Sequence, residues 1–391
     1  MKSAQRFLAF SGILTFAFLG SVQALYGPLL PGLRETFVLD AGAVGLIFTA
    51  HGLGALLGIL IPSLLRAQSF AKHWLGIASI LLLIGAGGVA LAPSWPATLA
   101  AAFVLATGFG IHVVRLNSLF VASFGTRGMT MLQLINAAFS IGSILGPLIL
   151  GLAGSASPRL FGVVAAVALV LAPVSLATDR KVRQILAAPD GKNAEANTRS
   201  GTRTGSRTLL GAFVALMCLT VGVENSLAGW MTTLALADGF SFEAAANLTA
   251  AFFGAIFTGR LVAAALGHRL PAAYQVISAI AFIAIVLSIA IATGIGPIAF
   301  AVAGFGIAPI FAATLVWLGH RLPTSAHANT IVIAGALLGS AILPASVGRV
   351  TAHLGTAAAP PAILCMALAA LAVALWVHFA RAPQASSRNR F

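Results

Sequence analysis

The sequence predicts an all-α integral membrane protein, with twelve transmembrane helices arranged as two six-helix bundles, and three observations predict it. Of the 391 residues, 59% are hydrophobic and only 8% charged, against roughly 25% charged in an average soluble domain. Apolar runs long enough to cross ~30 Å of hydrocarbon recur twelve times. One long polar segment, residues 178–208, separates the first six runs from the last six.

The first run, residues 7–28, follows Lys2 and Arg6 and ends on Gly27-Pro28-Leu29-Leu30-Pro31, which reads as its terminator. A secretory signal with a cleavage site near Ala24 has the same outline. That reading is rejected, because cleavage would leave eleven spans and detach the Gly-Pro stretch from its helix. Five more runs follow at 41–65, 73–92, 97–124, 128–152 and 160–177. Beyond the polar segment come 209–236, 243–266, 272–292, 297–319, 326–349 and 361–380. The expected organisation is an amino-terminal bundle over 1–177, a linker over 178–208 and a carboxyl-terminal bundle over 209–391.

Charge gives the orientation. With the amino terminus inside, 17 of the 22 Lys and Arg residues fall on the cytoplasmic side, as the positive-inside bias requires. This points to a multi-pass protein of the inner membrane with both termini cytoplasmic. The net charge of +14 then reflects bases facing anionic lipid rather than nucleic acid. The linker, rich in Arg, Asn, Thr, Ser and Gly, is too poor in apolar residues to bury a core.

Short matches recur across the linker. Gly108-Phe109-Gly110-Ile111 returns as Gly304-Phe305-Gly306-Ile307, Gly54-Ala55 as Gly254-Ala255, and Leu145-Gly146 as Leu338-Gly339. Their common order and nearly constant offset favour a duplicated six-helix unit with parallel repeats, in which two bundles rock about a site at mid-membrane.

Over its whole length the chain resembles the major facilitator superfamily. The likeness is carried by Gly142-Ser143-Ile144-Leu145-Gly146-Pro147, by Asn117, and by Gly259-Arg260 leading to Gly267-His268-Arg269. The family's second loop carries a glycine, an acid and then bases. Here Gly58 is followed by Pro62 where the acid belongs, with Arg66, Lys72 and His73 beyond it, so Arg66 is a candidate gate without its usual acidic partner. Within the superfamily, Gly222-Val223-Glu224-Asn225 with Gly229-Trp230, together with Tyr26-Gly27-Pro28, is similar to the fucose and proton symporter branch and its sugar-transporting relatives. The resemblance implies transport by alternating access.

Ionisable groups at mid-bilayer cost at least ~2.5 kcal/mol and usually face a wet cavity or a partner. Glu224, near the centre of the seventh run, is the one acid that the sequence places in the middle of a span, and it can take up a proton at one face and release it at the other. The competing reading is a structural acid held by a neighbouring base or hydroxyl. His51 and His112 sit at similar depth and either line the cavity or bond a helix carbonyl. Arg115 shares a face with His112 three residues earlier. Its guanidinium fork suits a carboxylate or paired hydroxyls, in binding or in gating. Arg260, near the cytoplasmic end of its helix, reads as a gate. Gln23, Tyr26, Asn117, Asn136 and Asn225 can donate and accept hydrogen bonds, and Trp230 can stack on a sugar face. Helix-to-helix hydrogen bonding is the alternative for these.

There is no HExxH, no phosphate loop and no Gly-x-Ser-x-Gly elbow, so neither ATP-driven transport nor an enzyme is expected. Two cysteines, Cys218 and Cys365, build neither a disulfide framework nor a zinc site. The expected function is secondary active transport of a small polar solute, a sugar or polyol, coupled to protons or to sodium. The alternative is an organic-anion or drug exporter, and a receptor or scaffold is a third class. Expected partners are the solute, the coupling ion and membrane lipids, with no cofactor and no nucleic acid. The expected working unit is a monomer.

Overall fold

The computed structural model describes residues 3–64, 73–186, 204–266, 269–322 and 328–380. Among them run thirteen α-helices: α1 (Ser3–Phe37), α2 (Ala41–Leu64), α3 (Trp74–Leu91), α4 (Trp95–Ser123), α5 (Gly128–Ala153), α6 (Phe161–Leu186), α7 (Thr204–Ala237), α8 (Phe242–Leu266), α9 (Ala272–Thr293), α10 (Gly296–Ile307), α11 (Ile310–Arg321), α12 (Ala328–Leu354) and α13 (Ala359–Phe379). They provide twelve candidate membrane spans. The tenth is α10 and α11 together, broken at Ala308 and Pro309, because a proline has no N–H to give the preceding turn.

Helix ends follow local chemistry. The Asp40 carboxylate accepts from the Ala43 N–H at 2.6 Å and opens α2, and the Ser241 hydroxyl accepts from Ala244 at 3.2 Å and opens α8. Such side chains satisfy the orphan donors of a helix start. Gly154 and Gly294, at φ 65° and 74°, close α5 and α9 in the left-handed conformation that glycine adopts without cost.

Two boundaries differ from expectation. The Gly27-Pro28-Leu29-Leu30-Pro31 stretch does not end the first helix; α1 runs through both prolines to Phe37, since packed neighbours can re-satisfy the freed carbonyls. The sixth helix passes residue 177 and reaches Leu186, while the seventh begins at Thr204. Residues 187–203, the middle of the expected linker, lie outside the described residues.

The two halves repeat one packing scheme. In the first, α1 packs on α5, α2 on α4 and α3 on α6; in the second, α7 packs on α12, α8 on α10 and α9 on α13. The halves meet along α2 with α12, α5 with α8 and α1 with α7. Successive spans alternate in direction, which brings Ser3, Phe379, the end of α6 and the start of α7 to one face, termed here the linker side.

Among the described residues, the glycines that join the halves lie at mid-depth or towards the opposite, far side. Gly45 lies against Ala345 and Gly52 against Ala341 of α12, and Gly151 meets Ala246 and Glu243 of α8. Gly27 meets the Ala228 carbonyl of α7. Small residues allow such backbone approach, and these contacts draw the two halves together there.

Candidate functional site

Three polar ties cross between the bundles near mid-depth. Gln23 of α1 donates through Nε2 to Asn225 Oδ1 of α7 at 3.1 Å. The Asn225 amide nitrogen donates to its own Val221 carbonyl at 2.9 Å, which turns the oxygen towards α1. Arg260 of α8 donates through Nη1 to Ser140 Oγ of α5 at 2.8 Å, and Ser140 in turn donates to the Asn136 carbonyl at 3.2 Å. Thr49 of α2 donates to the Ala341 carbonyl of α12 at 2.7 Å.

Glu224, half-buried on α7 beside Asn225, lies within the electrostatic reach of Arg260. Arg260 thus connects the second bundle's acid to the first bundle's Ser140. Although it lies in the linker-side part of α8, its guanidinium reaches a residue near the middle of α5. An arginine keeps its charge under all ordinary conditions, so any change of charge between the two belongs to the carboxyl.

An aromatic wall rises on the amino-terminal side. His51 Nδ1 lies 3.0 Å from the Tyr26 hydroxyl, with the two rings 4.8 Å apart. Phe109 follows at 5.4 Å from the His51 ring, then Phe139 at 6.3 Å from Phe109 and Phe16 at 6.4 Å from Phe139. His51 Nε2 is buried without a hydrogen-bond partner. A buried polar atom of that kind calls for an explanation, and an incoming hydroxyl is one.

Other predicted site residues face elsewhere. His112 Nδ1 donates to the Gly108 carbonyl at 3.1 Å, and its Nε2 lies 3.3 Å from Ser79 Oγ of α3. Ser79 is in turn 2.8 Å from Ser175 of α6. This imidazole is held inside the amino-terminal bundle, away from the seam. Arg115 interacts electrostatically with Asp179 of α6. Asp179, 5% exposed, accepts from the Gly76 N–H at 3.0 Å at the start of α3. Trp230 is 1% exposed and donates through Nε1 to the Pro344 carbonyl at 2.9 Å. Its ring is wedged between Gly45 of α2 and Gly348 of α12, a seam position on the far side rather than an open platform. Asn136 donates to the Leu132 carbonyl of its own helix at 2.9 Å. Asn117 is half-buried on α4, its Oδ1 without a partner. Arg66 and the Gly267-His268 pair lie outside the described residues.

Sequence reading missed Ser140, Thr49, Phe109, Phe139 and Asp179. Hydroxyls and phenylalanines are too common in apolar helices to stand out singly. Asp179 falls in the expected linker over 178–208, yet it lies on α6; of the four acids within the candidate spans, Glu35 and Glu243 are exposed, and Asp179 and Glu224 are not.

The sequence profile of the Major Facilitator Superfamily matches residues 12–328. The chain belongs to that superfamily. Among solved structures, this superfamily member resembles a mutant of the nucleoside transporter NupG at a TM-score of 0.75, with 16% identity over 96% of this chain and 99% of that one. The xylose transporter XylE from E. coli matches at a TM-score of 0.71, with 14% identity over 100% of both chains. FucP, a superfamily transporter in the outward conformation, matches at 0.62, with 19% identity over 94% of this chain and 99% of that one. No curated protein sequence matches. At these identities the structures speak to the fold alone, and the superfamily makes the chain a multi-pass membrane transporter of a small molecule.

Proposed function

We propose that this transporter moves a small polar solute, a sugar or related polyol, across the inner membrane by alternating access, with Glu224 coupling the movement to protons. One observation carries the reading: a half-buried carboxyl beside the Gln23 to Asn225 tie, within the field of an arginine that itself reaches across to Ser140. In the mechanism, protonation of Glu224 removes its hold on Arg260, and the Arg260 to Ser140 tie loosens with it. The polar ties then exchange their bonds to each other for bonds to solute hydroxyls. Phe109 and Phe139 offer flat apolar faces to a sugar ring, and His51 Nε2 pairs with a hydroxyl. The inter-bundle glycine contacts at mid-depth and towards the far side support a state that loads or unloads at the linker side, which in this reading is cytoplasmic, as are both termini. The working unit is a monomer.

An organic-anion or drug antiporter of the same fold is the second reading, favoured by the exposed Arg260. Arg115 lends it less support, because its charge is shared with Asp179.

The test is uptake into proteoliposomes with a panel of sugars, polyols and organic anions, following internal pH. Solute-driven proton entry is expected, with sodium replacement by choline leaving it unchanged. Glu224→Gln should abolish accumulation against a gradient while retaining solute exchange. Accumulation by that variant at the wild-type rate overturns the role of Glu224.

A further inference from the structure

The bundles differ at one corresponding crevice. In the amino-terminal half, the space between α2 and α3 in front of α4 is filled: Ile111 is 1% exposed, packed with Trp74 and Ala78 and flanked by Ile61, Ile77 and Leu81. In the carboxyl-terminal half, the space between α8 and α9 in front of α10 is an open cavity of about 320 Å³. The sequence explains the difference. Where α3 begins with Trp74, α9 begins with Ala272-Ala273, and the α8 wall is built from Gly259 and Ala263.

The cavity opens on the outer surface of the carboxyl-terminal bundle, not towards the other bundle. On α10, Gly304 packs against Phe252 of α8 and Gly306 against Ala279 of α9, so Phe305 between them points out through the α8–α9 gap. It is 40% exposed, and Val262 and Leu270 on the rim are 39% and 55% exposed. The polar side chains in the lining are already engaged: Gln275 Nε2 donates to the Leu270 carbonyl at 2.8 Å and Ser278 Oγ to the Gln275 carbonyl at 3.3 Å. Such a lining asks for hydrocarbon, since an unfilled apolar wall forfeits dispersion contacts on one side. At the rim on the linker side, exposed Arg269 precedes Leu270, and a guanidinium fork matches phosphate oxygens.

We propose that this cavity is a phospholipid site, an acyl chain lying along Phe305 with an anionic, phosphate-bearing headgroup held at Arg269. The proposal is independent of the solute and coupling assignments, because none of its residues belongs to the seam.

The test is native mass spectrometry of the intact chain, released from nanodiscs of phosphatidylglycerol and phosphatidylcholine in equal amounts. The wild type should retain one phospholipid, preferentially phosphatidylglycerol. Ala263→Trp and Ser278→Trp, which fill the cavity from opposite walls, should each lose it while unfolding at the wild-type temperature. Arg269→Gln should keep a lipid but lose about fivefold in headgroup preference, the worth of one basic residue at an anionic surface. Wild type that retains no phospholipid, retention undiminished in both tryptophan variants, or an unchanged headgroup preference in Arg269→Gln would each overturn the proposal.

Discussion

Gly108-Phe109-Gly110-Ile111 in α4 and Gly304-Phe305-Gly306-Ile307 in α10 are the same four residues set on opposite sides of equivalent helices. Gly108 packs on Ala78 of α3 and Gly110 on Ala55 of α2, whereas Gly304 packs on α8, the counterpart of α2, and Gly306 on α9, the counterpart of α3. The order is reversed, so the motif is turned by about half a revolution, as the 3.6-residue period allows over two positions. Phe109 therefore faces His51 and Phe139, and Phe305 faces Phe282 and the open cavity between α8 and α9. A local match fixes what a helix can pack against, not in which direction.

A second match does hold. Gly142 and Gly146 of α5 lie against the α1 backbone at Ala17 and Ser21, and Gly335 and Gly339 of α12 lie against α7 at Val214 and Cys218. Here the repeat preserves both residue and face, because each glycine sits where two backbones touch.

The contrast between the halves can be broken by substitution. The largest effect is expected from Glu224→Gln, which should remove coupled accumulation altogether, while His112→Gln, altering a group enclosed within the first bundle, should leave the coupling ratio intact; the two are read in the same proteoliposome assay. Next is Asp179→Ala, which strips a carboxylate from both Arg115 and the α3 start. It should cost about 3 kcal/mol of stability, the loss typical of a broken buried pair, measured by denaturation in detergent. Ile111→Ala opens the filled crevice and should cost about 2 kcal/mol. Phe305→Ala, at the open one, should cost less, and an equal loss would mean that the crevices are alike. Last is the glycine comparison by thermal unfolding, which holds the smallest single effect. Gly339→Ala should lose about 2 kcal/mol by crowding the Cys218 carbonyl, and Gly254→Ala, with nothing within 4 Å of the added carbon, should stay within about 0.5 kcal/mol.

The site was legible in part. Glu224, Asn225, Gln23, Tyr26 and His51 stand out in the sequence as polar groups in apolar runs, and the structure brings them to the seam or its aromatic wall. His112 and Arg115, nearly one turn apart, carried the same signal and are turned inwards to α3 and α6. Depth can be read from position along a run, but azimuth cannot. Trp230 illustrates the converse: its indole nitrogen needed a partner, and it found a backbone carbonyl of α12, which no pattern within α7 announces.

By itself, the sequence determined that the chain lives in a membrane, crosses it twelve times and divides in two. Hydropathy adds up residue by residue, and a run of about 20 apolar residues has few alternatives to a spanning helix. Tertiary structure alone decided which face of each helix meets the other bundle, which crevice is filled and which is left open. Those outcomes depend on rotation and register between helices, set by where a glycine lets a neighbouring backbone approach and where a bulky ring keeps it away.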